Sequence, residues 1–265
     1  EALGLPVSAF TLVTGDTDKT ADAGKSSASR QTFVSGKAAE NAALALRAEI
    51  LRHTNAGPNA KFALEGSRLR VDIKGESTAI DLASWPAGPD GIVFEGVGDF
   101  DPPTEPLDVK GQGVPYATYG FAAQIVALDV DMALGTVRLD RFVAAHDVGR
   151  AINPTLVEGQ IHGGIAQGIG LALMEEYVPG RTENLHDYLI PTFGDVPPID
   201  VILVEAAEPL GPFGAKGVGE PALVPAAPAI LGAIRHATGV PIREIPALPH
   251  RVRAALDAAG RAWEI

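Results

Sequence analysis

Apolar and polar positions alternate with a definite period in only a few stretches of this chain, and those stretches predict its elements. From Lys37 to His53, Ala38, Ala42, Ala45, Leu46 and Ile50 fall largely along one side of a helix, which Gly57 and Pro58 stop. Phe62 to Ile73 alternates around Glu65 and Gly66 as a hairpin does, and Phe121 to Asp131 with Thr136 to Ala144 forms a second hairpin around Leu134 and Gly135. Ala9 to Thr14 is a short apolar, β-branched run that predicts a strand leading into the polar segment 15–31. Glu1 to Pro6 reads as the tail of a helix ending at Gly4, so the chain begins inside a domain on this reading. The Pro-, Gly- and Asp-rich stretch 85–118 predicts an extended excursion over the surface, and Val201 to Val204 a further short strand.

Thr155 to Tyr177, after Asn153 and Pro154, predicts a long helix with Ile161, Ile165, Ile169, Leu173 and Met174 as its apolar stripe. Glycines at 159, 163, 164, 168 and 170 interrupt it, each costing about 0.5–1 kcal/mol relative to alanine. Close approach of a bulky ligand and tight packing against another helix explain such glycines equally well. Gln160 and Gln167 lie two turns apart and project to similar sides; an amide offers donor and acceptor together.

The segment GPFGAKGVGEP, Gly211 to Pro221, gathers four glycines around one carboxylate, Glu220, and Pro221 suits the first turn of a following helix. Alone it reads equally as a connection and as a ligand-contacting loop. Lys216 among glycines raises a phosphate loop, but no Ser or Thr follows it and the dinucleotide fingerprint is incomplete. Lys216 either approaches Glu220 or faces solvent.

Composition narrows the function classes. A net charge of −12 without a basic cluster argues against nucleic acid. With no cysteine the chain has no disulfide, thiolate metal site or iron–sulfur cluster of its own, and the six histidines show no metal-ligand spacing, so no protein-held metal is assigned. No apolar run reaches membrane-spanning length and no signal-peptide features are seen at the start. His146 and Asp147 read as a structural turn after the second hairpin, His162 as a buried or interfacial histidine, His186 and Asp187 as local hydrogen-bonding residues, and Glu175 with Glu176 as a solvated pair ending the helix.

Four stretches together carry more than any one: GDTDKTADAGKSSASRQTFVSG from Gly15, AAHDVGRAINPTLVEGQIHGGIAQGIG from Ala144, ENLHDYLIPTFGDVP from Glu183, and the Glu220 loop with its continuation PALVPAAPAILGAI. In order and spacing they resemble the carboxy-terminal part of the molybdopterin-binding large subunit of the xanthine oxidase and aldehyde oxidoreductase family of molybdenum hydroxylases. The resemblance implies an α+β fold of two-layer mixed lobes, a first cofactor-binding lobe over 1–118 and a second, carrying the catalytic glutamate, over 119–265. It implies that Glu220 is the general base, that Gln160 contacts the molybdenum cofactor, and that Gly217 and Gly219 line the cofactor side of the Glu220 loop. Ser26, Ser27, Ala28 and Ser29 match the segment that holds the pterin and its phosphate. Arg30 departs from the small residue of eukaryotic relatives and suits the phosphate or nucleotide extension of a cytosine dinucleotide form of the cofactor.

The activity so implied is oxidation of an aldehyde, or hydroxylation of an aromatic N-heterocycle of the purine or nicotinate kind, with oxygen from water. Electrons then leave through 2Fe-2S clusters and, in some relatives, FAD in partner subunits. The expected setting is a cytoplasmic, bacterial, multi-subunit complex that also supplies the upstream half of the large subunit. The alternative is a non-catalytic fragment or assembly subunit that keeps the fold without a complete cofactor pocket.

Overall fold

The computed structural model describes residues 1–261, so the last four positions assigned to the second lobe lie outside the described residues. The chain divides into two compact units, Glu1–Ala117 and Thr118–Ile265.

In the first unit, helix α1 (Gln31–His53) accompanies a three-stranded antiparallel meander of β1 (Lys61–Glu65), β2 (Arg68–Ile73) and β3 (Glu76–Asp81). The hairpin about Glu65 and Gly66 forms as its alternation predicts: Glu65 pairs with Arg68, and Gly66 takes a φ of 60° in the two-residue turn. Phe62, Leu69, Val71 and Ile80 point to one face and bury against Ile50 and Leu46 of α1. Arg47 crosses from the helix to the start of β1, donating to the Pro58 carbonyl at 3.1 Å and lying over the Phe62 ring. The alanine side of α1 receives the irregular segment that follows β3. A Cβ on Gly98 would lie 2.1 Å from the Ala42 amide nitrogen, so only glycine admits this approach.

In this unit α1 starts six residues before Lys37, two further expectations fail and one strand is added. Residues 1–4 form a turn, with the Gly4 amide donating to the Glu1 carbonyl at 2.9 Å, and not a helix end. Residues 10–14 form no strand after the 3-10 turn Val7–Ala9; Leu12 and Val13 are exposed, and an apolar run without a neighbouring strand has no ladder to join. β3 is the addition: Lys74 and Gly75, both at positive φ, turn the chain back after Ile73, and Thr78 and Ile80 continue the alternation.

The second unit is built on a three-stranded sheet, β4 (Ala122–Val130), β5 (Val137–Asp147) and β6 (Ile199–Val204), with β5 central, β4 antiparallel to it and β6 parallel. A parallel neighbour requires a crossover connection, and helix α2 (Pro154–Leu173) with the irregular segment after it provides one. Val126, Phe142 and Ala144 on one sheet face meet Ile161, Ile165 and Ile169 of α2 and Ile230 and Ile234 of α4 (Ala226–Thr238). Helix α5 (Pro249–Ala258) adds Val252 and Leu256 to the same core. The opposite sheet face leaves Phe121, Ile125 and Ile202 exposed. The fold is thus a mixture of helices with two small open sheets, as expected.

α2 starts where the sequence says, with Pro154 in its first turn and the Asn153 side chain accepting the Leu156 amide at 3.2 Å. It stops at Leu173, short of Tyr177, because the Met174 and Glu175 amides both return to the Gly170 carbonyl. Glu175 and Glu176 are therefore not simply solvated: Glu175 accepts the Tyr188 hydroxyl at 2.7 Å, and Glu176 pairs with Arg251.

The glycines of α2 divide by face. A Cβ on Gly164 would sit 2.6 Å from the Ala222 Cβ, and one on Gly168 would sit 2.3 Å from the Ala226 Cβ, so these two glycines exist for close helix packing. Gly159 and Gly163 lie on the exposed side, where no described atom comes within 4 Å of an added Cβ. Gly164→Ala should therefore destabilise the protein by about 1–3 kcal/mol through overpacking. Gly159→Ala should stabilise it by about 0.5–1 kcal/mol through helix propensity. Urea unfolding midpoints of the two variants, shifted in opposite directions, check this.

His146 and Asp147 do not form a turn; β5 runs three residues further than its alternation suggested and includes both. His146 is 1% exposed, its Nε2 lies 3.2 Å from the Gln124 side-chain nitrogen, and burial pushes the imidazole below its ordinary value of 6.5. The amide nitrogen can only donate, so His146 accepts at Nε2 and carries its proton on Nδ1. An unfolded histidine binds protons near pH 6.5 and the buried one resists them, so its contribution is full above that value and is lost as pH falls through it. Between about pH 7.5 and 5.5 the unfolding midpoint should drop more in the wild type than in His146→Gln, a difference read by thermal melts at each pH.

Candidate functional site

The exposed strip of α2 carries Leu156, Gly159, Gln160, Gly163 and Gln167 along one side of the helix. Two of these positions have no Cβ, so bare backbone flanks the two amides and offers a flat, polar surface to a ligand. The sequence raised ligand approach and helix packing as rival reasons for the glycines; each holds for a different pair. His162, expected to be buried or interfacial, is exposed on another side of α2, so it is not buried within this chain.

Glu220 stands in the first turn of the short helix α3 (Gly219–Leu223), exposed, with Pro221 next to it as the sequence predicted. Ala222 meets Gly164 and Ala226 meets Gly168, so the chain from α3 into α4 runs in the same direction as α2. Stepping back from Ala222 to Glu220 therefore moves toward the Gln160 end of α2, since Gln160 is one turn before Gly164. Both residues belong to the second unit, and each precedes, along its own segment, the close contact between Gly164 and Ala222.

What holds the Glu220 loop was largely missed by sequence reasoning. Lys216 neither faces solvent nor serves as a free charge: its ammonium donates to Asp147 at 2.6 Å and to the Tyr119 carbonyl at 3.0 Å, with both side chains of the ion pair about nine-tenths buried. The Lys216 amide donates to the Val148 carbonyl at 3.0 Å, the Arg150 amide to the Gly214 carbonyl at 2.8 Å, and Gly149 bridges Ala215. Of the loop glycines, Gly214 takes a φ of 89°, and a Cβ on Gly211 would strike the Ala215 carbonyl oxygen at 2.0 Å. Gly217 and Gly219 are half-buried, Gly217 in the stretch between Lys216 and α3 and Gly219 as the first residue of α3. Beyond Glu220, the Gln124 side chain donates to the Ala222 carbonyl at 2.8 Å. A signal for Gln124 existed: it is a polar residue in phase with Val126 and Leu128 on the core-facing side of β4.

In the first unit, Ser26, Ser27, Ala28, Ser29 and Arg30 lead directly into the 23-residue helix α1, with Arg30 at the cap position. Ala28 and Ser29 adopt φ of 56° and 51°, a left-handed pair that non-glycine residues rarely take. The first-turn amides of α1, three serines and Arg30 form a setting suited to an anion, with no acidic residue in the first turn to oppose it. His186 and Asp187 make local backbone hydrogen bonds to Asn184, as expected. Among the described residues no group of three His, Asp or Glu side chains is arranged for a metal ion, and no helix is long and apolar enough to cross a membrane. A cavity of about 320 Å³ in the second unit lies at the far end of α2, against Ile169, Leu173 and Met174, away from Gln160.

Known proteins are similar to this chain in sequence and fold. A family profile described as molybdopterin cofactor-binding domain matches residues 1–197. The chain is 34% identical to the xanthine dehydrogenase molybdenum-binding subunit of Escherichia coli O157:H7, over 98% of its own length and 35% of that protein. It is 30% identical to the nicotine 6-hydroxylase large subunit of Paenarthrobacter nicotinovorans, over 95% of its length and 32% of that protein. Among solved structures, the aldehyde oxidoreductase of Desulfovibrio desulfuricans superposes with a TM-score of 0.72 at 30% identity, covering 90% of this chain and 24% of that one. Quinoline 2-oxidoreductase of Pseudomonas putida 86 superposes with a TM-score of 0.75 at 28% identity, covering 97% and 34%. The chain spans about a third of the length of the curated relatives it matches from end to end. It belongs to the molybdopterin cofactor-binding family of the xanthine dehydrogenase and aldehyde oxidoreductase type.

Proposed function

We propose that this chain forms the cofactor-binding and proton-accepting part of a molybdenum hydroxylase that oxidises an aldehyde or hydroxylates an aromatic N-heterocycle. The carrying observation is the open strip at Gly159 and Gly163 beside Gln160 and Gln167 on α2, with the backbone of Glu220 two residues before the contact that Ala222 makes with Gly164. A strip lacking Cβ atoms and flanked by two amides fits a flat heterocyclic cofactor, whereas a relic fold has no need to keep these glycines bare at their helical cost. This favours the catalytic reading over a non-catalytic fragment.

On this reading Gln160 would hydrogen-bond the molybdenum cofactor. In the first unit, taken by itself, Ser26, Ser27, the Ala28 and Ser29 backbone, and the α1 N-terminus would suit a phosphate of such a cofactor, with Arg30 suited to the added phosphate of a cytosine dinucleotide form. Gly217 and Gly219 let the loop backbone come close to the same ligand. When bound, the molybdenum centre would supply the two-electron chemistry that side chains lack. The net reaction replaces a substrate C–H by C–OH, with oxygen from water, and releases two electrons and two protons. Glu220 accepts one of those protons at its carboxylate, a role that needs a fixed carboxylate within hydrogen-bond reach. Its place at the head of a proline-containing turn, on a loop bonded to β5, fixes the backbone that carries it. The electrons would leave to 2Fe-2S clusters, and in some members of the family FAD, held by partner subunits, and the remaining part of the large subunit would complete the substrate site.

In the native assembly, Glu220→Gln should leave molybdenum and pterin content unchanged and lower kcat by about 10²–10⁴-fold. Turnover close to wild type would remove Glu220 from the mechanism. Gly163→Leu should retain the wild-type circular dichroism spectrum but lose most of the bound molybdenum, because its side chain projects from the exposed strip. Unchanged metal content in that variant would place the cofactor elsewhere.

A further inference from the structure

Glu220 is bracketed by two anchors, and both reach back to the same end of the β4–β5 hairpin. Four residues before it, the Lys216 ammonium is fixed by Asp147, at the end of β5, and by the Tyr119 carbonyl, just before β4. Two residues after it, the Ala222 carbonyl accepts the side-chain amide of Gln124, in β4. Gly120 lies against Pro221, where an added Cβ would be 3.2 Å from the proline ring, so the hairpin also touches the residue next to Glu220.

The two anchors differ in kind. The Lys216 to Asp147 pair is buried and also serves the fold: the second Asp147 oxygen accepts the Gly149 amide at 3.1 Å. Gln124 has a narrower task. Its nitrogen reaches Ala222 at 2.8 Å and His146 at 3.2 Å, while its oxygen is buried without a partner. Turning the amide over would satisfy that oxygen against an Nε2-protonated His146, but would set it against the Ala222 carbonyl. The observed orientation leaves two buried polar atoms unpartnered, Gln124 Oε1 and His146 Nδ1, and keeps the bond to α3. A buried amide left half-satisfied is costly, so the bond it does keep is the one this arrangement favours.

We propose that Gln124 is a positioning residue for Glu220, holding the α3 turn to β4 so that the carboxylate keeps a single orientation. Gln124 does not touch the reacting atoms; it acts through the Ala222 carbonyl. Its effect on turnover rests on the proposed role of Glu220, whereas its effect on α3 does not.

The test uses the native assembly carrying Gln124→Met, which keeps length and volume and removes the donor. Amide hydrogen exchange over 219–224, in and just after α3, should accelerate by about tenfold, with exchange in α2 and in β5 unchanged. Molybdenum content should stay at the wild-type level. kcat should fall by about 10²-fold with KM within about twofold, the signature of a misplaced catalytic group. Gln124→Asn, which keeps the amide but withdraws it by one methylene, should show smaller changes of the same sign, and is read alone if the methionine variant does not assemble. Unchanged exchange over 219–224 overturns the tether. Faster exchange with unchanged kcat overturns the positioning role, and parallel assay of Glu220→Gln then shows whether Glu220 was catalytic at all.

Discussion

The second unit depends on one close contact, Gly164 and Gly168 of α2 against Ala222 and Ala226. At both places the would-be Cβ lies well inside van der Waals distance, so the two backbones approach as nearly as helices can. From this contact follow the direction of the chain through α3 and α4, the burial of Ile230 and Ile234 against Ile161, Ile165 and Phe142, and the placing of Glu220 toward the Gln160 end of α2. A larger residue at either glycine would push α3 away and take the carboxylate with it. The same helix thus positions the acid through its packed glycines and presents a bare surface through its open ones.

The Glu220 loop shows how a short segment rich in glycine is made rigid. Glycine alone gives freedom, and freedom would scatter the carboxylate over many orientations. Here the loop is bonded along its length to 148–150 by backbone hydrogen bonds, and its lysine is committed to a buried aspartate. Removing one member of such a pair leaves a buried charge, at a cost of about 3–5 kcal/mol, so the pair keeps the loop in one conformation even where the pair adds little net stability. Lys216 thereby belongs to the support of the site and not to its chemistry.

Much of this was legible in the sequence wherever a local rule decided the structure. Asn153 with Pro154 set the start of α2, Gly66 the first hairpin turn, Gly135 the second, and Pro221 lay in the turn that follows the loop. Features set by partners distant in sequence were not legible. The run 10–14 has strand composition but no neighbour, so it forms none, while β3 forms because the Lys74–Gly75 turn delivers it to β2. The parallel pairing of β6 with β5 and the lysine–aspartate pair span 57 to 69 positions, and no local pattern announces them. Gln124 is the intermediate case: its phase within β4 marks it as inward-facing, yet only the fold shows that what lies inward is the Ala222 carbonyl.

The glycine pattern of α2 also bears on why a long apolar helix carries polar amides on one side. A helix buried all round would use its full circumference for packing, and a surface helix would carry charge on its outer face. α2 has neither arrangement along this side: its exposed strip, from Leu156 through Gly159, Gln160 and Gly163 to Gln167, is uncharged, its carboxylate, Glu158, lies on another side, and two of those five positions have no side chain at all. On the proposed reading, the uncharged amides and exposed backbone of this strip would meet the planar polar ring of a pterin.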